Sequence, residues 1–306
     1  MATAPDISKS AQPAAAGFAP NKLAVVRHRR LLPAGYPWIT ISVLVALVFV
    51  AIFGDFLAPH DMYDQDLAKR LLPPFWMEDG TTAYLLGTDA LGRDILSRLI
   101  GGARTSLVVA VVGLFIGGGI GGTAGIVAGY FGGRIDSAIM RLADATLAFP
   151  IILFALLLSI SMGSGLLSVV IAISIVLWAR FARVVRSDVL VIRDMDYVKM
   201  AKISGASSAR ILWRHILPNV ANTLTVLAGL QIGWVIILEA TLSFLGAGIS
   251  PPTPAWGSMT AEGREYLITN WWVTFMPGIT IVITVVALTR LGDWLRDWLD
   301  PRLPLN

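Results

Sequence analysis

Long stretches without a charged residue dominate the pattern of this chain. Asp, Glu, Lys and Arg are absent from five windows, residues 31–54, 105–133, 145–179, 215–238 and 266–289. An α-helix crosses the hydrocarbon core of a bilayer in about 20 residues, so four windows each predict one membrane-spanning helix. The window 145–179 is long enough for two helices, and its Ser-Met-Gly-Ser-Gly sequence at 161–165 predicts the turn between them. We therefore predict six spans.

These spans divide the chain into membrane and polar parts. They cover about residues 36–56, 106–130, 137–160, 166–182, 221–246 and 271–291. An external segment, 57–104, follows the first span, and a cytoplasmic segment, 184–219, separates the fourth span from the fifth. The predicted fold class is an all-α membrane protein whose membrane domain occupies residues 31–303.

Composition agrees with a membrane protein and excludes several kinds of chemistry. Hydrophobic residues make up 56% of the chain and charged residues 14%, against about 25% charged residues in soluble domains. The absence of cysteine excludes disulfides, thiolate metal sites and cysteine nucleophiles. The three histidines, His28, His60 and His215, lie too far apart in sequence to suggest metal ligands. We therefore expect no catalytic, metal or cofactor site on this chain.

The distribution of positive charge predicts the orientation in the membrane. One side carries 17 of the 24 Lys and Arg residues and the other side carries six, with Arg141 inside the third span. Because cytoplasmic loops are enriched in Lys and Arg, both termini are predicted to be cytoplasmic. Residues 1–30 are rich in Ala, Pro and basic residues and are predicted to form a disordered basic tail. No cleavage site follows the first span, so we expect that span to be retained.

The second span carries a stripe of glycines at every fourth position. A spacing of four residues places them along one face of a helix, where another backbone can approach closely. Tight helix packing is the simplest interpretation, and a surface on which helices slide is compatible with it. The stripe consists of Gly113, Gly117, Gly121, Gly125 and Gly129.

Arg141, Asp144, Glu239 and Pro150 lie within the predicted spans, where a charge or a proline needs a structural reason. Arg141 and Asp144 are three residues apart and are expected to form an ion pair or to lie at the interface, with gating as the alternative. Pro150 removes one backbone hydrogen bond and is expected to kink the third span near Phe149. Glu239 lies far along the fifth span and should face the bundle interior, a partner or water, which leaves structural pairing and a pathway role both open.

The cytoplasmic segment contains a predicted helical hairpin, YVKMAKISGASSARILWRHILPN at 197–219. A helix is expected up to Ile203, with a sharp turn at Gly205. Ser207 or Ser208 can cap a second, short helix, and Pro218 is expected to end it. The second helix places apolar side chains beside basic ones, and such a surface held outside the membrane is typical of a docking element for a partner protein.

The same hairpin resembles the EAA loop of ABC importer permeases. Gly205 and the sequence Ile216-Leu217-Pro218 match that loop, but Lys199-Met200-Ala201 stands where the family has Glu-Ala-Ala. The resemblance implies contact with an ATPase subunit through this loop. The residues expected to form it are Lys199, Met200, Ala201, Gly205, Ala206, Ser207, Arg210, Ile211, Leu212, Arg214, Leu217 and Pro218.

Further motifs resemble the C-type subunit of dipeptide, oligopeptide and nickel permeases. They are LGTDALGRDILSR at 86–98, MRLAD at 140–144, TLSFLGAG at 241–248 and LGDWLRDWLDPR at 291–302. The resemblance implies a type I ABC importer permease fold and transport of peptides across the bacterial inner membrane. Nickel or another small solute is the alternative substrate, and a secondary transporter or channel is the alternative class. No His, Cys or Met cluster offers soft metal ligands, which favours peptides.

The resemblance also implies the partners of the chain. They are a B-type permease subunit in a heterodimer, two ABC ATPase subunits, an extracytoplasmic substrate-binding protein and the lipid bilayer. Since the sequence lacks a G-x4-GK[ST] phosphate-binding loop, ATP and Mg²⁺ are expected on the ATPase subunits. Nucleic acid is not expected as a partner, because the net charge of +4 is explained by membrane orientation.

A short amphipathic helix is expected in the external segment. It would start at Thr88 or Asp89 and place Leu91, Ile95, Leu99 and Gly102 on one face. We expect this helix to lie along the outer membrane interface and to help form the landing surface for the binding protein.

Overall fold

Residues 37–299 of the computed structural model form a helical bundle without a β-sheet. The predicted tail at 1–30 and the last residues of the C-terminal motif lie outside these described residues. The α-helices are α1 (Trp38–Leu57), α2 (Ile95–Phe131), α3 (Gly133–Ala148), α4 (Ile151–Met162), α5 (Leu166–Arg193), α6 (Asp196–Ile203), α7 (Ser208–Ile211), α8 (Leu217–Phe244), α9 (Trp256–Gly263) and α10 (Trp272–Leu299).

The helices confirm the predicted fold class. Five are long and apolar enough to cross a membrane: α1, α2, α5, α8 with the turns before it, and α10. The pair α3 and α4 makes a sixth when it is counted as one broken span, bent by 93°. Pro150 therefore ends one helix instead of kinking it. Phe149 takes an extended backbone conformation, because the α region is disfavoured before proline.

Several helices extend beyond the predicted spans. Helix α2 begins at Ile95, where Asp94 accepts a hydrogen bond from the Ser97 amide at 2.9 Å and so satisfies a free helix N–H. The external helix expected from Thr88 or Asp89 does not form separately, since its second half is the start of α2. Helix α5 runs on to Arg193, well past the predicted end.

Pro218 does not end the short helix before it, contrary to the prediction. Helix α7 passes through a π-helical turn, Leu212–Ile216, directly into α8. Pro218 lies in the first turn of α8, where the missing N–H of proline has little cost. The hairpin is thus joined to α8 without a loop.

The core of the bundle is built around α5. Ile173, Leu177 and Phe181 of this helix are buried, and α2, α4 and α8 pack on it. Helix α8 also packs against α10, while α1 lies outside against α2 and α10. Of α1 only Thr40 and Gly54 are buried. This packing positions the polar side chains of α2, α5 and α8 relative to one another.

Candidate functional site

The glycine stripe of α2 lies against α5. A Cβ built on any glycine of the stripe would lie too close to an atom of α5. The distances are 3.0 Å from Gly113 to Ile173, 2.8 Å from Gly117 to Leu177, 2.7 Å from Gly121 to Phe181, 2.6 Å from Gly125 to the Ala182 carbonyl and 2.7 Å from Gly129 to Val189. These distances are shorter than normal contacts, so the two helices approach more closely than an alanine would allow. Gly119, on another face of α2, has no atom within 4 Å of such a Cβ.

The ion pair expected between Arg141 and Asp144 does not form, while the alternatives, an interfacial position and gating, stay predictions. Asp144 instead reaches across to α5, where Arg183 donates a hydrogen bond to its carboxylate at 2.5 Å. Both side chains of this pair are more than half exposed. Within residues 37–299, Arg141 has no carboxylate within 4 Å of its guanidinium. Asp144 pairs with Arg183 because α3 packs on α5, and this packing, not the spacing along α3, determines its partner.

Glu239 is completely buried between α2 and α8. Its carboxylate accepts hydrogen bonds from Ser106 at 3.1 Å and from Ser243 at 2.8 Å. Ser243 in turn accepts a bond from the Ile249 amide at 3.3 Å, in the turn that follows α8. Glu239 therefore faces the bundle interior and joins two helices and a turn. It lies five residues from Phe244, the last residue of α8, and is closer to that end than to the middle of the helix.

The helical hairpin predicted at 197–219 is formed by α6, a tight turn and α7 with the π-helical turn. Gly205 has a φ of +79°, a conformation that glycine adopts without strain. Its amide donates to the Lys202 carbonyl, and the Ala206 amide donates to the Ala201 carbonyl, both at 3.1 Å. These two bonds form a Schellman motif that ends α6. Ser207 caps α7 by accepting a bond from the Arg210 amide at 3.3 Å.

The apolar side chains of the hairpin divide into a buried and an exposed set. Ile211, expected to be a surface contact, is only 1% exposed and packs with Val198, Ile216 and Val220, so that expectation is wrong. The exposed fractions are 61% for Met200, 79% for Ile203 and 74% for Trp213. Sequence reasoning missed Ile203 and Trp213, because the sequence does not show which face of α6 and of the π-helical turn packs on the bundle.

The remaining loop residues surround this exposed set. Lys199, Ser207, Arg210, Arg214 and Pro218 are exposed, while Ala201, Ala206, Leu212 and Leu217 are half-buried. The ring of Tyr197 lies 5.9 Å from that of His215, which places the start of α6 beside the end of the π-helical turn. The hairpin thus presents apolar and basic side chains together, outside the spans.

A charge cluster formed by the segment before α2, the start of α2 and α9 was not predicted from sequence. Asp89 accepts hydrogen bonds from Arg93 at 2.7 Å and from Arg98 at 2.5 Å. Glu262, near the end of α9, accepts from the same arginines at 2.6 and 2.9 Å. Asp89, Arg93 and Arg98 are buried and Glu262 is 27% exposed in its side chain. The spacing of Asp89 and Arg93 by four residues was the available signal.

Trp256 fixes the same region by a different contact. Its indole N–H donates to the Leu99 carbonyl at 3.0 Å, and its ring packs against Gly102 so closely that a Cβ there would lie 2.8 Å away. Thr88 also donates to the Lys69 carbonyl at 2.5 Å. The external segment, α9 and the start of α2 are therefore joined by buried polar contacts.

Comparisons with known proteins agree with this architecture. Residues 121–304 match the family described as binding-protein-dependent transport system inner membrane component. Residues 38–74 match the N-terminal transmembrane domain of oligopeptide transport permease C. A solved structure of the MetNI methionine ABC transporter in an inward-facing conformation shares the fold, with a TM-score of 0.55 and 19% identity over 67% of this chain and 98% of that one.

Curated relatives extend over most of the chain. It is 42% identical over 260 residues to the di/tripeptide transport system permease protein DppC of Pseudomonas aeruginosa, covering 85% of this chain and 86% of that protein. It is 40% identical to the glutathione transport system permease protein GsiD of Pectobacterium atrosepticum, covering 85% of both chains. The chain therefore belongs to the family of inner-membrane components of binding-protein-dependent transport systems.

Proposed function

We propose that this chain is the permease subunit of an ATP-driven importer of di- and oligopeptides in the bacterial inner membrane. Relatives at about 40% identity along most of the chain are named for peptide or glutathione transport, which supports the substrate class. The comparisons give no support to nickel. The observation that carries the ATP-driven mechanism is the exposed apolar surface of Met200, Ile203 and Trp213 on a helical hairpin outside the spans.

The proposed complex contains the partners expected for this family. The chain pairs with a similar B-type subunit, contacts an ATPase subunit through the hairpin and receives substrate from an extracytoplasmic binding protein. ATP and Mg²⁺ reside on the ATPase subunits, and the chain itself performs no enzymatic reaction. Exposed apolar patches of this kind mark interaction sites, and Arg210 and Arg214 beside them would steer an acidic partner surface.

The mechanism follows from how the hairpin is attached. Because α7 continues through the π-helical turn into α8, a movement of the hairpin is carried into α8. Helices α2 and α5 are locked by the glycine stripe and would move as one unit. ATP binding shifts the population between inward-open and outward-open states only if ATP binds the two states with different affinity.

The proposed topology places both termini and the hairpin in the cytoplasm. A single cysteine introduced into this cysteine-free chain tests it, with Asp64→Cys in the external segment and Ser204→Cys in the hairpin. An impermeant thiol reagent should label intact cells that carry Asp64→Cys and should label Ser204→Cys only after the membrane is opened. The reverse pattern would overturn the topology.

Uptake by the reconstituted complex tests the function. Proteoliposomes that contain the complete complex, with binding protein outside, should accumulate a labelled dipeptide only with hydrolysable ATP in the compartment of the ATPases. A non-hydrolysable analogue and omission of the binding protein are the controls. Uptake without ATP, driven by an ion gradient, would show a secondary transporter instead.

A further inference from the structure

Helix α5 carries four arginines, and one of them differs from the others. Arg183 pairs with Asp144 at 2.5 Å, Arg186 with Asp136 at 2.6 Å, and Arg193 donates to the Gly129 carbonyl at 2.9 Å. Arg180 has no carboxylate within 4 Å among residues 37–299. Its guanidinium carbon instead lies 4.5 Å from the ring centroid of Trp234 on α8.

Arg180 also lies within the membrane region. It falls inside the predicted fourth span, 166–182, and the ring of Trp234 beside it lies midway along the predicted fifth span, 221–246. A cation at this depth is unfavourable toward lipid and is expected to face a partner or a water-filled path. Arg180 and Trp234 are both only partly buried, so the pair is reachable from outside the chain.

The geometry favours an anionic ligand with a planar acceptor. A guanidinium stacked on an indole is held by cation–π attraction while the N–H groups at its edge stay free. That edge forms a rigid fork that matches the two oxygens of a carboxylate. Glu239, an acidic residue on the same helix as Trp234, is not the partner of Arg180, because it is fully buried and hydrogen-bonded to Ser106 and Ser243.

We infer that Arg180, positioned by Trp234, binds the C-terminal carboxylate of the peptide during its passage through the membrane. The inference rests on the proposed peptide import. The C-terminal carboxylate is the anionic group that every linear peptide carries whatever its side chains, so one arginine serves a mixed set of substrates. Trp234 acts on the ligand through Arg180 and is a positioning residue.

The test compares a labelled dipeptide with its C-terminal amide in proteoliposome uptake. Wild type should import the acid in preference to the amide. Arg180→Gln should lower uptake of the acid about tenfold to a hundredfold, which is the effect expected when one charge-assisted hydrogen bond is lost. The variant should also lose the preference for the acid over the amide. Because the same binding protein delivers both peptides, its own selectivity cancels when the acid-to-amide ratios of wild type and variant are compared.

Matched variants separate this role from a structural one. Arg183→Gln removes an exposed, paired arginine of the same helix and should keep the wild-type ratio. Arg180→Lys retains the charge without the fork and should restore part of the preference. Trp234→Leu should reduce it less than Arg180→Gln does.

Three outcomes would overturn or redirect the account. Normal uptake with an unchanged ratio in Arg180→Gln would disprove the inference alone. If Arg180→Gln blocks copurification with the B-type subunit and Arg180→Lys restores it with a wild-type ratio, Arg180 pairs with a carboxylate of that subunit and the inference is wrong. Absence of peptide uptake by wild type itself would instead disprove the proposed function.

Discussion

The two ends of the bundle differ in whether their side chains are paired within the chain or left exposed. At the end predicted to be external, Asp89, Arg93, Arg98 and Glu262 pair with one another. At the end predicted to be cytoplasmic, the hairpin exposes Ile203 and other large apolar side chains. The charge cluster is thus completed by the chain itself, whereas the exposed apolar side chains of the hairpin are left for a partner to cover. A rigid charge cluster at one end and an uncovered hairpin at the other suit the proposed subunit, which would receive force through the hairpin.

The largest effect is expected from breaking the external cluster. Arg98→Met leaves Asp89 and Glu262 with one arginine in place of two, and removal of one partner of a buried pair costs about 3–5 kcal/mol. The melting temperature of the purified complex should fall accordingly. Arg104→Met is the control on the same helix, since its 3.4 Å pair with Asp55 is 65% exposed on both sides and exposed pairs contribute about 0–1 kcal/mol. An equal fall in melting temperature for Arg98→Met and Arg104→Met would contradict the view that the buried charge cluster stabilises its end of the bundle.

The hairpin offers a second contrast, between a buried and an exposed isoleucine. Ile211→Ala should destabilise the chain by about 2–5 kcal/mol, because it removes buried methylenes. Ile203→Ala should leave thermal stability within about 0.5 kcal/mol but should weaken copurification with the ATPase subunit. If Ile203→Ala retained full ATPase binding, the exposed surface would not be the contact.

A smaller effect on stability is expected in the helix pair that joins the two ends. Gly121→Leu places a side chain where the α5 backbone passes, and overpacking costs about 1–3 kcal/mol. Assembly or transport should be lost while membrane insertion is retained, as measured by membrane fractionation beside uptake. Gly119→Leu, on the open face of α2, should behave like wild type. Normal transport by Gly121→Leu would show that transport does not require the close packing of α2 on α5 at the glycine stripe.

The sequence predicts best those features that depend on neighbouring residues. Charge-free windows locate the spans because a bilayer demands about 20 apolar residues. The turn at Gly205 and the cap at Ser207 follow from local backbone chemistry, and the structure has both. The break at Pro150 was located correctly, although its size was underestimated.

Features that depend on tertiary packing were predicted poorly. Glu262 meets Arg98 across 164 positions of sequence, and no local pattern connects them. Asp144 pairs with Arg183 of another helix instead of its helical neighbour. Ile211 is buried because the hairpin folds back on the bundle, which an isolated amphipathic pattern does not reveal.

Gly205 provides the most direct test of coupling through the hairpin. A Cβ at this position has no atom of the chain within 4 Å, and Asp tolerates a positive φ better than most residues do. Gly205→Asp should therefore keep the fold of the chain and meet only the ATPase surface. Gly205→Asn, similar in shape but uncharged, separates the effect of bulk from that of charge.

The decisive measurement is peptide-stimulated ATP hydrolysis beside peptide uptake in the same proteoliposomes. For Gly205→Asp we expect the binding protein still to dock, while the stimulation of hydrolysis and the uptake are no longer coupled and transport is lost. Full stimulation together with full uptake would show that this hairpin is not the coupling element and would contradict the proposed mechanism.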